Sequence, residues 1–361
     1  MTDFEALEEK YDGFDPPRFK IEVGDHTFTD ADARIVGISI DTALSETNRV
    51  ELTIDGGFDP GLGEFAEVDW DCWTIGTQLD VRMGYGDELE KLFHGAIDSV
   101  QSRFSTEGGA VLQISGLDPR NKLMGNEVDD SWEDTTVGAV VEDVLETGEY
   151  DFPDVNVEGV EGTGKDRIGG GDMVGETPGD LTVEKVFQSD ESHYDILSKL
   201  ADRFGYELFF RGETFHYRRP RWHAEPALEL EYGRSLRSFA PYLPGNRRDV
   251  GTVVVTDSEG TSKEPISGEA RREEGEEVVE RTARVGSEVE AEAHAHAVLR
   301  ELTLGPTNEA EVLGLPDLRI GRPIKVTGVG TFSGIYYVEE STHRLDSAGY
   351  TTKATVRTID A

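Results

Sequence analysis

The chain has 361 residues, enough for two or three domains with cores of their own, and a formal net charge of −39 from 74 Asp and Glu against 35 Lys and Arg. Such a surface repels nucleic-acid phosphates and anionic membranes, which argues against both as direct partners. With 36% apolar residues, 16 Phe and 11 Tyr, the composition is that of a folded protein and not of a disordered polyanion. Only ten of the basic residues are Lys. Dense carboxylates with few lysines suit high salt, where the screening length falls to about 3 Å at 1 M.

In chain order, residues 1–17 read as a flexible acidic arm ending in Pro16-Pro17, without the apolar stretch of a signal peptide. Strands are expected at 19–23, 33–41 and 49–54. Ile35, Ile38 and Ile40 break a clean period of two, which places a bulge near Gly37. Gly56-Gly57-Phe58-Asp59-Pro60-Gly61 is a turn cluster. The single cysteine, Cys72, lies between Trp70 and Trp73 and reads as a packed small hydrophobe, so neither an intrachain disulfide nor a cysteine metal site is available. A helix is expected over 135–146, capped by Thr135 or Thr136, with Val137, Val140, Val141, Val144 and Leu145 on one face. The Gly- and charge-rich stretch 158–180 reads as a mobile loop. A second helix from Ser192 buries Ile196, Leu197, Leu200, Ala201 and Phe204 and ends at Gly205, followed by a hairpin of 206–210 and 214–218. Strands at 228–232 and 251–256, a solvated acidic stretch 267–280 and a third helix over 288–302 come next. No apolar run approaches the ~20 residues of a membrane span.

Two distant stretches read alike. Ile75-Gly76-Thr77-Gln78-Leu79-Asp80-Val81, Gly84-Tyr85-Gly86 and Phe93-His94-Gly95 are echoed by Ile320-Gly321-Arg322-Pro323-Ile324-Lys325-Val326, Gly328-Val329-Gly330 and Phe332-Ser333-Gly334. Each runs on into a hairpin, 96–104 with 110–115 and 335–343 with 350–357. The first copy carries extra residues at 87–91, which fits a loop insertion. Two copies so far apart suggest two related β-barrels in one polypeptide and not a solenoid.

Three stretches resemble the phage late control protein D family, the baseplate hub proteins of contractile tails and the hub portion of spike proteins in type VI secretion and extracellular injection systems. They are the helix and hairpin of 192–218, Leu230-Glu231-Tyr232-Gly233-Arg234-Ser235-Leu236, and Phe332-Ser333-Gly334-Ile335-Tyr336-Tyr337-Val338 through His343 to Gly349-Tyr350-Thr351. The resemblance covers the chain from Phe19 onward. It implies a mainly β (α+β) fold of two tube-like β-barrels with a few short helices, in a pseudo-sixfold homotrimer. Three copies of two similar barrels imitate six, which is what joining a sixfold tube to a threefold spike requires. The implied organisation is the arm 1–17, a first barrel 18–125, a helical and hairpin connector 126–225 and a second barrel 226–361, with strands in 228–280 free to cross back to the first barrel. Implied partners are a tail tube ring, a central spike, other baseplate proteins and a tape measure protein. Spike fusions continue into a further barrel and a needle; here the sequence stops at Ala361, so a separate spike is expected. With the charge, the resemblance points to a haloarchaeal virus or injection particle.

Catalytic patterns are weak. Gly159, Gly164 and Lys165 fit a phosphate-loop spacing, but Asp166 replaces the Ser or Thr that would hold Mg²⁺. His294 and His296 are two apart and diverge on a helix, while His193 and His343 read as local polar contacts. Pairs such as Asp129-Asp130 and Glu273-Glu274 arise by chance in so acidic a chain. No catalytic, metal or cofactor residue is therefore assigned. Trp70, Trp73, Trp132 and Trp222 are the candidate interface anchors, since Trp dominates hot spots, with core or rim packing as the alternative for each. The reading is a non-enzymatic baseplate hub; a tail-tip envelope-degrading enzyme and a carbohydrate-binding β module are the alternatives. High-salt adaptation predicts loss of the β circular-dichroism spectrum on desalting, and a spectrum unchanged in low salt refutes it.

Overall fold

Alternating apolar and polar residues set strands through most of the chain, and short i, i+3, i+4 apolar patterns set its helices. The structure, a computed structural model, describes residues 1–32, 34–66, 70–105, 109–125, 127–157, 181–245, 249–258, 266–272 and 274–359. The first β unit has α1 (Phe4–Lys10), β1 (Pro17–Val23), β2 (His26–Thr29), β3 (Ile35–Ala43), β4 (Arg49–Ile54), the short β5 (Phe58–Asp59) and β6 (Glu64–Phe65), β7 (Gln78–Tyr85), β8 (Glu88–Ser105) and β9 (Gly109–Leu117). A connector follows with α2 (Arg120–Leu123), β10 (Glu127–Thr136), α3 (Val137–Thr147), β11 (Asp154–Val157), β12 (Thr182–Ser192), α4 (His193–Phe204), β13 (Glu207–Arg211) and β14 (Thr214–Arg218). The second β unit opens with β15 (Leu228–Glu231) and β16 (Leu236–Ala240). It is interrupted by β17 (Val250–Asp257), β18 (Ser267–Arg271), β19 (Glu277–Ala283) and α5 (Glu288–Thr303). It resumes with β20 (Thr307–Leu313), β21 (Pro323–Thr327), β22 (Gly334–Asp346) and β23 (Gly349–Thr358).

The fold is mainly β, as expected, but the two units are not separate closed barrels. Their strands run β3-β4-β9-β8-β7-β1-β2 and β16-β20-β23-β22-β21-β15, and both belong to one 13-stranded sheet. The join is an antiparallel ladder between β22 and β3, from Glu340↔Ala43 to Leu345↔Ile38. Among the described residues no ladder closes either unit on itself. One apolar core follows the sheet through both, from Ile21, Ile40 and Val81 to Val312, Ile324 and Val356.

Two further expectations change. The N-terminal segment is docked, not loose. Asp3 caps α1 by accepting from the Ala6 N–H, and Leu7 and Tyr11 are fully buried. Phe4, Leu7, Tyr11 and Phe14 form an apolar stripe that the acidic composition of the arm hides. Lys10 bridges Glu90 of β8 (3.0 Å) and Asp317 before β21 (2.9 Å), and the Tyr11 hydroxyl donates to Asp317. The arm therefore straps the two β units together. Strands β17, β18 and β19 join neither unit. They pair among themselves in the order β18-β17-β19, and Val253, Val255, Ala270 and Val279 pack with Ala291 and Ala295 of α5. In 267–271 and 277–283 Ala270 and Val279 are buried, while Glu269, Arg271, Val278 and Glu280 face solvent.

The connector has its own core, built on the expected helices. Thr136 caps α3, and Ser192 with Asp195 forms a capping box on α4, which ends at left-handed Gly205. One face of the β13–β14 hairpin, with Phe210, Phe215 and Tyr217, packs on that core; the other carries Phe209, His216 and Arg218 toward the second unit. Gly321 permits this approach, since a Cβ there would lie 2.7 Å from both the Arg218 guanidinium and the Phe209 ring.

Arg120 fixes the hairpin to the first unit. Its buried guanidinium pairs with Asp118 (3.0 Å) and donates to Ala43 O, Leu44 O, Asn48 Oδ1 and Leu208 O, while the Asn48 amide donates to Phe210 O at 2.9 Å. Removing Arg120 leaves a buried carboxylate without its partner, at a cost of about 3–5 kcal/mol. Arg120→Met is expected to lower the denaturant midpoint accordingly in high KCl; an unchanged midpoint contradicts this account of the junction.

Candidate functional site

The repeat in the sequence is a repeat of ladders. Strands β3-β4-β9-β8-β7 of the first unit and β16-β20-β23-β22-β21 of the second have the same order, and their registers correspond residue for residue. Both leading strands carry a bulge after their first residue, at Val36 and Arg237. Both central strands carry a second bulge, at Asp98 and Glu339. The bulge near Gly37 is thus present, with a counterpart that the sequence did not reveal. By ladder position the counterpart of Phe93 is Gly334, which faces Val326 as Phe93 faces Val81, two residues from the Phe332 that the sequence match selects. A two-residue slip keeps every side chain on its face, which is why the pattern still looked right. Residues 88–91 are not a loop insertion: they pair with 82–85 and lengthen the β7–β8 hairpin.

This correspondence exposes an asymmetry. In β22, residues 340–345 are paired on both edges, with β23 on one side and β3 on the other. Their counterparts in β8, residues 99–104, pair with β9 alone, and no described strand lies on the far side. Likewise β3 has two neighbours, whereas among the described strands its counterpart β16 pairs with β20 alone, apart from a single bridge between Leu236 and Tyr232. The chain presents two open edges of the same two kinds that it joins internally. Unpaired edges recruit other strands unless they are blocked.

Exposed apolar side chains flank both edges. At the end of β8, Phe104 is 61% exposed and meets Phe58 edge-on at 5.0 Å; Phe65 and Trp70 (47% exposed) continue the cluster. A cavity lined by Gly57, Phe58, Pro60, Phe104 and Val111 opens beside it. Past β16, Pro241-Tyr242-Leu243-Pro244 leaves Tyr242 and Leu243 62% and 67% exposed, and the Tyr242 N–H is held by Asn308 Oδ1 at 2.8 Å. Large exposed apolar groups gathered at unpaired edges mark an interaction surface.

The four tryptophans do not converge. Trp70 belongs to the cluster by β8. Trp73 is a core residue, 6% exposed and stacked on Phe28 at 5.2 Å. Trp132 packs on the connector core and donates to Asp143 at 2.8 Å. Trp222 lies under the Arg300 guanidinium and against Tyr337, joining α5 to the second unit. Phe104, Tyr242 and Leu243 were missed because nothing local separates an edge aromatic from a core one; the bracketing prolines at 241 and 244 were the available signal.

The titratable groups sit apart. His294 donates to Arg203 O at 2.8 Å, and His296 lies 3.9 Å from Glu292. His193 meets the Tyr150 hydroxyl at 2.8 Å. Asp129 accepts from the Asp190 N–H and Asp130 from the Ser131 N–H, both exposed on β10. Gly159, Gly164, Lys165 and Glu273 lie outside the described residues. His343 is buried, accepting from the Tyr350 hydroxyl (2.9 Å) and donating to Leu318 O (3.1 Å), and burial pushes its imidazole down to about 3. Unfolded, it titrates near 6.5. A depressed histidine gives stability that is complete above about pH 6.5 and lost as the pH falls below it. His343→Gln is expected to show a shallower drop in Tm between pH 6.5 and 4 than the parent chain; equal slopes contradict this.

No family model matches the sequence, and no curated protein matches it. Solved structures do. A 43 kDa tail protein of prophage MuSo2 from Shewanella oneidensis matches with a TM-score of 0.67 at 14% identity, over 94% of this chain and 98% of that one. The tail protein from Neisseria meningitidis MC58 matches with a TM-score of 0.67 at 13% identity, over 95% and 97%. An Escherichia coli type VI secretion component, described as similar in structure to T4 bacteriophage tail proteins gp27 and gp5, matches with a TM-score of 0.52 at 15% identity, over 90% and 73%. The chain shares the fold of these tail proteins along almost its whole length.

Proposed function

We propose that this chain is a structural hub of a tail or tail-like injection particle, a non-enzymatic component of which three copies join head to tail into a ring of six similar β units. The observation that carries the reading is the unmatched pair of edges. Inside one chain the far edge of β22 takes β3; between chains, the far edge of β8 would take β16 of the next copy by the same geometry. Such a contact is heterologous, and it closes into a ring of three when each step is a third of a full turn with no rise along the axis. The shared fold with tail proteins supports the same reading.

The ring acts through its symmetry. Its repeat of six similar units offers strand edges and loops to a sixfold tube ring on one face, while its true threefold symmetry seats a separate central spike on the other. Other baseplate proteins and a tape measure protein are further proposed partners. An acidic lumen repels the phosphates of passing DNA and limits sticking. A haloarchaeal setting follows from the charge.

Two measurements test this. Light scattering in about 2–3 M KCl, where surface charge is screened, is expected to give the mass of a trimer; a monomer at every concentration and in the presence of spike and tube proteins refutes the hub. Carrying the register Arg344↔Ser39 of the internal ladder across to the open edges pairs Arg103 with Ala240 of the next copy. The double variant Arg103→Cys, Ala240→Cys is therefore expected to oxidise to covalent trimers, while either single variant stays uncrosslinked. Trimers without crosslinks would leave the hub standing and overturn this edge pairing.

A further inference from the structure

Where the connector meets the β22–β3 ladder, a small cavity is enclosed by Arg211, Arg319, Thr42, Ser341, Phe210 and Leu92. It has room for about one water-sized occupant. Its polar lining is unusual for so acidic a chain: two guanidinium groups, two hydroxyls and the His343 imidazole, whose nitrogens are engaged by Tyr350 and Leu318, with no carboxylate. Thr42 and Ser341 share a hydrogen bond of 2.8 Å; when Thr42 gives its one hydroxyl hydrogen to Ser341 Oγ, the Ser341 hydrogen is left available. Arg319 uses Nε on Pro316 O and Nη2 on Glu90, leaving Nη1.

Arg211 is the anomaly. It is largely buried, and among the described residues it has no carboxylate within ion-pair distance. Burial pushes its guanidinium down to about 9, and the nearby cations Arg322, Arg218 and Arg319 add to the shift. The nearby carboxylates are engaged elsewhere: Glu207 with Arg218 (3.4 Å) and the Tyr337 hydroxyl (2.8 Å), Glu90 with Arg319 and Lys10. His216, 3% exposed in the same field, has no partner on either ring nitrogen and cannot supply an anion. A largely buried cation without a counter-charge is destabilising, so this cluster calls for a negative ligand.

We propose that the cavity holds one small inorganic anion, chloride in a saline milieu, bound by Arg211, Arg319 and the Ser341 hydroxyl. The ion clamps the connector turn onto the junction of the two β units, since its ligands come from β13, from the segment before β21 and from β22. The strong negative charge of the whole chain disfavours anions everywhere else on it, which makes such a site selective by position. All ligands lie within one chain, so the site is independent of the oligomeric state.

Crystals soaked in bromide test this directly: an anomalous peak between Arg211 and Arg319 is expected. In solution, Tm at equal potassium concentration is expected to be about 2–4 °C higher in chloride than in glutamate, which is too large for the cavity. Arg211→Met abolishes that difference, and Ser341→Ala, a milder change that preserves folding, reduces it. An empty or water-filled cavity in the bromide crystals, a protein carboxylate seated on Arg211, or equal Tm in the two salts overturns the proposal.

Discussion

The ladder between β22 and β3 is the contact on which the rest of the molecule depends. A strand edge carries N–H and C=O groups that must find partners. Pairing these two edges satisfies both and merges two half-sheets over one core. Strand length makes it possible. β21 begins at Pro323, opposite Tyr337 of β22, so its ladder ends there; beyond the bulge at Glu339 the edge of β22 is free to meet β3. In the first unit β7 begins at the equivalent point, opposite Ala96, and among the described residues no strand pairs with the freed edge of β8. One geometric device, used twice and filled once, makes the fold and leaves its open surface.

Charge is segregated along with polarity. The net charge is −39, yet the junction between connector and β units is held by arginines. Arg120 and Arg218 are almost fully buried, and each has a carboxylate partner in Asp118 or Glu207. Arginine suits this place because its rigid fork satisfies several carbonyls at once, as Arg120 does with Ala43, Leu44 and Leu208. The docked arm adds Lys10 to the same centre, bridging the two units. A surface that screens itself in salt and a centre that is internally paired let the hairpin sit rigidly on the sheet.

The local pattern of the chain was legible where one element dictates its own form. The helices at 137–147, 193–204 and 288–303, the caps Thr136, Ser192 and Gly205, and the strand 49–54 follow from periodicity and capping chemistry. The repeat was legible too, because a conserved order of glycine turns and strands survives as a pattern of residues. Its phase at Phe332 was not, since a shift of two residues preserves the facing of a strand. The arm and the stretch 267–280 were misread for one reason: acidic residues crowd their outer faces and mask the apolar stripe beneath.

The open edges lie beyond any local pattern. A strand such as 99–104 has the same alternation whether one neighbour or two lie beside it, and Phe104 reads no differently from Phe93, which is buried. By itself the sequence determined which segments are strands and helices, that two of them repeat, and that the surface is a dense polyanion, because each depends on residues close together in the chain. Only the tertiary structure decided that the two units share one sheet, which edges remain unpaired, and that Arg211 lies among cations, because these are pairings between residues far apart in sequence.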